Sequence, residues 1–288
     1  MLKQRILTAI VLLPLAFFII FALPMPWFAL AVMIVLGLAA WEWSPLMSVR
    51  NFAGRIGYVG FVLAAIGMLW AFVPVEQFWD GASLHPFILA VVAVGGLWWL
   101  LAILLVFNFP RSQRVWARSR AFVALFGFLI LVPTWAAAVA LRSLFFEDNP
   151  IFGAWMLLFV LGLVWAADIG AYFAGRKFGK RKLMPQVSPA KTLEGMLGGL
   201  ALSVLIMAIV ALLLPVSYGQ LPGYFFVGVV TVLVSVFGDL NESMFKRCAG
   251  VKDSGSILPG HGGILDRIDS LTSALPIFLI GYVLFVVA

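Results

Sequence analysis

The sequence has one cysteine, two histidines and little charge: 11% of its 288 residues are Asp, Glu, Lys or Arg. Each scarcity excludes something. A lone Cys248 rules out an intrachain disulfide and a multi-thiolate metal centre. So little charge in a chain that is 64% hydrophobic excludes a water-soluble fold, which could not bury that much apolar surface. The alternation of apolar and polar residues over ~10-residue strands that a spanning β-barrel needs is missing. So are internal repeats, low-complexity tracts and linkers. There is no Walker A motif: Gly170 to Gly175 has the spacing, but Arg176 follows in place of lysine.

What is present is a series of apolar runs of about 20 residues, the length of a membrane-spanning helix. They predict an all-α, polytopic integral membrane bundle of about nine transmembrane helices. The runs cover roughly 6–23, 27–47, 56–73, 86–107, 121–141, 151–174, 193–214, 224–247 and 271–288. The first two are split only by Pro24–Met25–Pro26. The opening MLKQR and its apolar run could be a signal peptide, but FALPMPW offers no small-x-small cleavage site, so a retained helix is expected.

Charge sets the orientation. In a nine-helix arrangement every one of the 19 basic residues except Arg142 falls on one side. The positive-inside rule then puts the N-terminus and the even-numbered loops in the cytoplasm of a bacterial cell, with the inner membrane as the location. Arg142 falls outside, beside Glu147 and Asp148. The net charge of +7 is therefore a face for anionic lipids and anionic cytosolic substrates, not for nucleic acid.

The two halves differ. Residues 1–150 read as scaffold helices with lipid and dimer contacts. Glu42, in Trp41–Glu42–Trp43, is their one notable polar residue, and His85 reads as an interfacial loop residue. Residues 151–288 carry the ionisable chemistry within the same integral membrane domain. On a helix over 237–247, Asp239, Glu242, Ser243 and Lys246 share one face. The last span is expected to start near Gly262–Gly263, which puts Asp266, Asp269 and Ser270 on one face of its first turns. Carboxylates from facing helices suit Mg²⁺, a hard cation that takes one or two carboxylates while substrate phosphates fill other positions. Asp239 and Asp266 are the first candidates and Asp269 the third; salt-bridging to Lys246, Arg247 or Arg267 is the alternative. His85 and His261 lie on opposite sides, so no zinc set forms. Gly260, Gly262 and Gly263 let a backbone approach an anion at the following helix start. Asp168 sits within two turns of the basic end of its helix. The segment Ser188–Gly195 is expected to begin a helix, with Ser188 as N-cap and Pro189 in the first turn, bringing Lys191, Thr192 and Glu194 to the surface.

Acidic residues for a divalent ion, several basic residues, hydroxyls and glycine turns suit phosphoryl or nucleotidyl transfer, in which positioning and charge neutralisation dominate. A phosphate monoester is largely dianionic at neutral pH and needs no base to act as nucleophile, in keeping with the missing Ser–His–Asp relay. A transporter would keep its acidic residues near the midplane in repeated halves. A cation channel would need a pore-lining ring that the sequence does not offer.

The run SMFKRCAGVKDSGSILPGHGGILDRID, residues 243–269, resembles the signature of the phosphatidate cytidylyltransferase (CDP-diacylglycerol synthase) family. The matching positions are Ser243, Lys246, Arg247, Lys252, Asp253, Pro259, His261, Gly262, Gly263, Asp266, Arg267 and Asp269. The stretches around Asp168, Lys191–Gly195 and Gly238–Leu240 resemble it too, so the likeness covers about 150–288. It implies a Mg²⁺-dependent nucleotidyltransferase, with room for a second monovalent or divalent cation, that joins CTP to phosphatidate in the leaflet and is expected to act as a homodimer. It places Asp239 and Asp266 at a metal centre. The catalytic set is then Asp239, Asp266, Ser243, Lys246, Arg247, Lys252, His261 and Arg267. Substrate-binding residues are Lys191, Thr192, Glu194, Asp253, Gly262, Gly263 and Asp168; metal ligands are Asp239, Asp266 and Asp269. A CDP-alcohol phosphotransferase is set aside because its DGxxAR…GxxxDxxxD pattern is absent. A CTP-dependent lipid kinase would release CDP instead of a CDP-lipid.

Overall fold

The computed structural model describes residues 2–146, 149–213 and 218–287, without the side chains of residues 2–7, 9 and 287. The chain runs α1 (Leu2–Ala22), α2 (Met25–Trp43), α3 (Phe52–Phe72), a short hairpin of β1 (Trp79–Asp80) and β2 (Ser83–Leu84), then α4 (Pro86–Phe107). The one-turn α5 (Gln113–Trp116), α6 (Arg120–Arg142) and α7 (Phe152–Phe178) follow. A second hairpin, β3 (Lys182–Met184) with β4 (Ser188–Thr192), leads into α8 (Leu193–Leu213), α9 (Leu221–Ala249) and α10 (Leu265–Tyr282). Both hairpins are antiparallel. Among the described residues 8 helices are long and apolar enough to cross a membrane, namely all but α1 and α5. Residues 10–22 of α1 form a shorter apolar helix ahead of them. The protein is a polytopic helical membrane protein.

Local chemistry sets the boundaries. Pro24 (φ −56°, ψ 151°) separates α1 from α2, and Pro26 occupies the first turn of α2, where a missing N–H costs nothing. His85 caps α4, its Nδ1 accepting from the Phe87 N–H at 3.2 Å. Ser119 caps α6 through the Phe122 N–H at 3.3 Å. Gly250, at φ +70°, ends α9 in the left-handed conformation that glycine adopts readily. The 29 residues of α9 make a helix of about 43 Å, more than two turns longer than a ~30 Å hydrocarbon layer.

Indole N–H groups tie the helices across the core. Trp135 on α6 donates to the Ala29 carbonyl of α2 at 2.9 Å, and Trp99 on α4 to the Thr272 carbonyl of α10 at 3.1 Å. Trp43 donates to Val123 at 2.9 Å. All three rings are fully buried. Trp135→Phe removes one such bond and leaves the Ala29 carbonyl to its helix alone; the expected cost is about 1 kcal/mol, read as a lower melting midpoint of the purified protein.

Arg142 closes the far end of the bundle. It is buried, with Nε donating to the Ile20 carbonyl at 2.5 Å and Nη1 to the Pro150 carbonyl at 3.0 Å. Glu147 and Asp148, expected beside it, lie outside the described residues, as do the side chains of Lys3 and Arg5.

Two sequence expectations shift. The segment Ser188–Thr192 is a strand, so the helix begins at Leu193 and Ser188 is not its cap. Thr192 takes that part, its Oγ1 accepting from the Gly195 N–H at 3.1 Å. The last span begins at Leu265, two residues after the expected glycines.

Candidate active site

The ends of α7, α9 and α2 and the starts of α8 and α10 converge at one end of the bundle. Gly238 lets α9 and α10 meet there: a Cβ on it would lie 2.6 Å from the Asp269 carbonyl and from Ser273 Oγ. The polar stripe of α9 is as the sequence predicts, and it is threaded by lysines. Lys246 Nζ lies 3.0 Å from Glu242 Oε2 on its own helix and 2.7 Å from Asp266 Oδ1 on α10. The three side chains are 11%, 3% and 6% exposed, so the charges compensate one another away from water. Nearer the surface, Lys191 Nζ lies 2.7 Å from Asp239 Oδ2, and the Ser243 hydroxyl donates to Asp239 Oδ1 at 3.2 Å. Asp239 and Asp266 are thus both ion-paired, to lysines and not to arginines.

Asp266 also organises the glycine loop. It accepts from the Ser254 N–H at 3.1 Å and the Gly263 N–H at 2.8 Å. Within the loop Leu258 and Gly262 form an antiparallel bridge, and Gly260 and Gly262 take φ of +78° and +86°. Those values are why glycines stand there. His261 Nδ1 is buried with no hydrogen-bond partner among the described residues. The Thr8 hydroxyl of α1 donates to the Pro259 carbonyl at 2.9 Å.

Asp269 accepts from the Ser270 N–H at 2.7 Å and lies against the Glu242 carboxylate, with Asp239 close enough to act on its charge. Glu242 Oε1 is buried without a hydrogen-bond partner among the described residues. Two carboxylates in contact need a proton or a cation between them. That donor set fits a hard cation such as Mg²⁺, which needs only one or two protein carboxylates. Among the described residues no group of three or more His, Cys, Asp and Glu has metal-holding geometry. Both oxygens of Asp266 are already engaged, so the unsatisfied oxygen lies on the Glu242 and Asp269 side.

The remaining candidates divide. Asp168 is exposed on α7 and interacts electrostatically with Lys191, Asp239 and Arg267, which places it at the rim. Arg267 is exposed on the first turn of α10. Arg247 points away, its Nε donating to the Val187 carbonyl at 3.2 Å. Lys252 and Asp253 are exposed on the loop. Glu194 accepts from the Lys180 and Arg181 N–H groups at 3.0 and 3.1 Å and pairs with Arg181 Nε at 3.0 Å, which folds the hairpin back on α8. Glu242 is legible as the i, i+4 partner of Lys246, but helical spacing alone does not bring it against Asp269. Ser254, whose N–H holds Asp266, had no signal beyond its place in the glycine loop.

The sequence matches the cytidylyltransferase family over residues 3–285. It is 41% identical to the phosphatidate cytidylyltransferase of Haemophilus influenzae over 282 residues, 96% of this chain and 97% of that one. It is 43% identical to the protein of the same name from Pseudomonas aeruginosa over 278 residues, 96% of each chain. The Bacillus subtilis protein of that name is 45% identical over 129 residues, 43% of this chain and 46% of that one. With a near full-length match and a site of paired lysines and carboxylates, the chain belongs to the cytidylyltransferase family and is a nucleotidyltransferase.

Proposed function

We propose that this protein joins CTP to phosphatidate, giving CDP-diacylglycerol and pyrophosphate, at the cytoplasmic face of the bacterial inner membrane and as a homodimer. A phosphatidate oxygen forms a bond to the α-phosphorus of CTP. The bond from that phosphorus to the bridging oxygen of the β-phosphate breaks, and pyrophosphate leaves with the electron pair. Asp239 and Asp269, with the open oxygen of Glu242, would hold Mg²⁺, which would supply neutralising charge for the triphosphate; Asp266 would join them only on giving up Lys246. Lys191, Lys246 and Arg267 are the cations that meet phosphate oxygens. Lys252 supplies positive charge around the mouth, while Arg247 holds the turn of the second hairpin through the Val187 carbonyl. The Ser243 hydroxyl and the N–H groups of the glycine loop position oxygens, and His261 serves the leaving pyrophosphate.

The observation that carries this reading is the buried Glu242–Lys246–Asp266 array with the Lys191–Asp239 pair at its rim. Lysines already held out of water by carboxylates need no fresh desolvation to attract an incoming phosphate. The names of the full-length relatives support the choice of substrates.

Labelled CTP and phosphatidate, supplied to the purified protein with and without Mg²⁺, test it. The expected products are a CDP-lipid and pyrophosphate, with formation falling to background in EDTA. Release of CDP with a phosphorylated lipid, or Mg²⁺-independent turnover, overturns the reading.

A further inference from the structure

Glu42 comes from the half of the chain that reads as scaffold, yet it ends inside the glycine loop of the site. Its residue is 1% exposed. Its Oε2 accepts the Leu265 N–H at 2.8 Å, from a residue 223 positions away in sequence. That N–H is one of the orphan donors at the start of α10, whose own N-cap residue, Ile264, makes no side-chain cap bond. A carboxylate there also complements the positive end of the helix. Gly255 and Gly263 close over the same carboxylate, and a Cβ on either would strike it. The Ser254 hydroxyl lies beside it. Ser254 and Gly263 are the two residues whose N–H groups hold Asp266. The loop is therefore gripped from two sides, by Asp266 within the site and by Glu42 beneath it.

We infer that Glu42 is a positioning residue of the transfer reaction: it caps α10 from α2 and sets the loop backbone that orients Asp266. The inference rests on the proposed function for its kinetic arm and on the fold alone for its structural arm. Arg55 supports the seat, its Nη2 donating to the Trp41 carbonyl at 2.9 Å and its guanidinium stacking 3.7 Å over the Trp41 ring.

The test uses the full chain in lipid nanodiscs. Glu42→Ala removes the cap, and Glu42→Asp is one methylene too short to reach Leu265. Both lower kcat for CDP-lipid formation about 30-fold, while KM for CTP stays within about threefold, because displacement of a catalytic loop acts on the step more than on binding. Glu42→Gln keeps the length and an acceptor oxygen and recovers to within about fivefold of wild type. In hydrogen exchange, amides of residues 254–265 open at least about tenfold faster in the Ala and Asp variants, with α3 to α6 unchanged. Exchange reads the loop whether or not the substrates are right. An inactive wild type therefore overturns the proposed function alone. Unchanged exchange at 254–265 overturns the role of Glu42, as does a Gln variant no better than Ala, or exchange that rises evenly across the bundle. If Ala and Asp fail to fold, Gly255→Ala, whose methyl enters the carboxylate's space, gives the same readouts, and wild-type turnover with unchanged exchange overturns the inference.

Discussion

Asp266→Asn lowers turnover of CTP and phosphatidate by at least about 100-fold, a loss typical of removing a main electrostatic group from a site. The reason is local. One Asp266 oxygen receives the Lys246 ammonium and the other the Gly263 N–H, with Ser254 N–H shared between them. An asparagine offers one acceptor and one donor. Whichever way the amide turns, its NH₂ faces a donor, and either the lysine or the loop must move. Asp239→Asn, on the half-exposed Lys191 pair, is expected to lose about 10- to 100-fold by the same loss of charge. Both proteins are assayed across a Mg²⁺ titration beside wild type. Near-wild-type rates for the two of them would remove these carboxylates from the chemistry.

Lys246→Met has the second large effect, and it falls on stability as well as rate. The lysine is the shared counter-ion of Glu242 and Asp266, and removing one member of a buried charge cluster costs about 3–5 kcal/mol. Methionine fills the space but leaves two carboxylates facing each other without their cation. Adding Glu242→Gln to Lys246→Met should restore much of the melting midpoint, because it removes one of the two stranded charges, and should restore none of the turnover. Thermal melting and CDP-lipid formation on the same preparations separate the two effects. Equal midpoints for the single and double variants would show that the lysine does not balance Glu242.

Much of this was readable from the chain because it is local. The apolar run 86–107 is α4 residue for residue, bounded by a proline at one end and Asn108 at the other. The face shared by Asp239, Glu242, Ser243 and Lys246 follows from helical spacing alone, and the glycine loop announces its positive φ values by composition. What could not be read are partnerships between distant segments. Nothing near Lys191 says that it meets Asp239, and nothing near Glu42 says that it caps a helix 223 residues later. The Ser188–Pro189 pair imitated a helix start, but Glu194 binds the backbone of Lys180 and Arg181, and that tie favours a hairpin over an earlier helical turn. The metal assignment shows the same limit. Spacing put Asp266 on the correct face, but only the folded chain shows its oxygens engaged by Lys246 and the loop while Glu242 keeps an unsatisfied one.

Where α9 crosses α10, Gly238 brings main chain against main chain, and the gap between the two helices is fixed by peptide groups instead of by the ionic side chains farther along. Swapping an ionic residue on either helix changes the electric field in the cleft while its width stays as it was. Kinetic defects in such variants then come from charge and from the side chains and loop it holds, not from the helix gap, and a bulkier residue at 238 becomes the complementary tool, widening the cleft with every charge still in place.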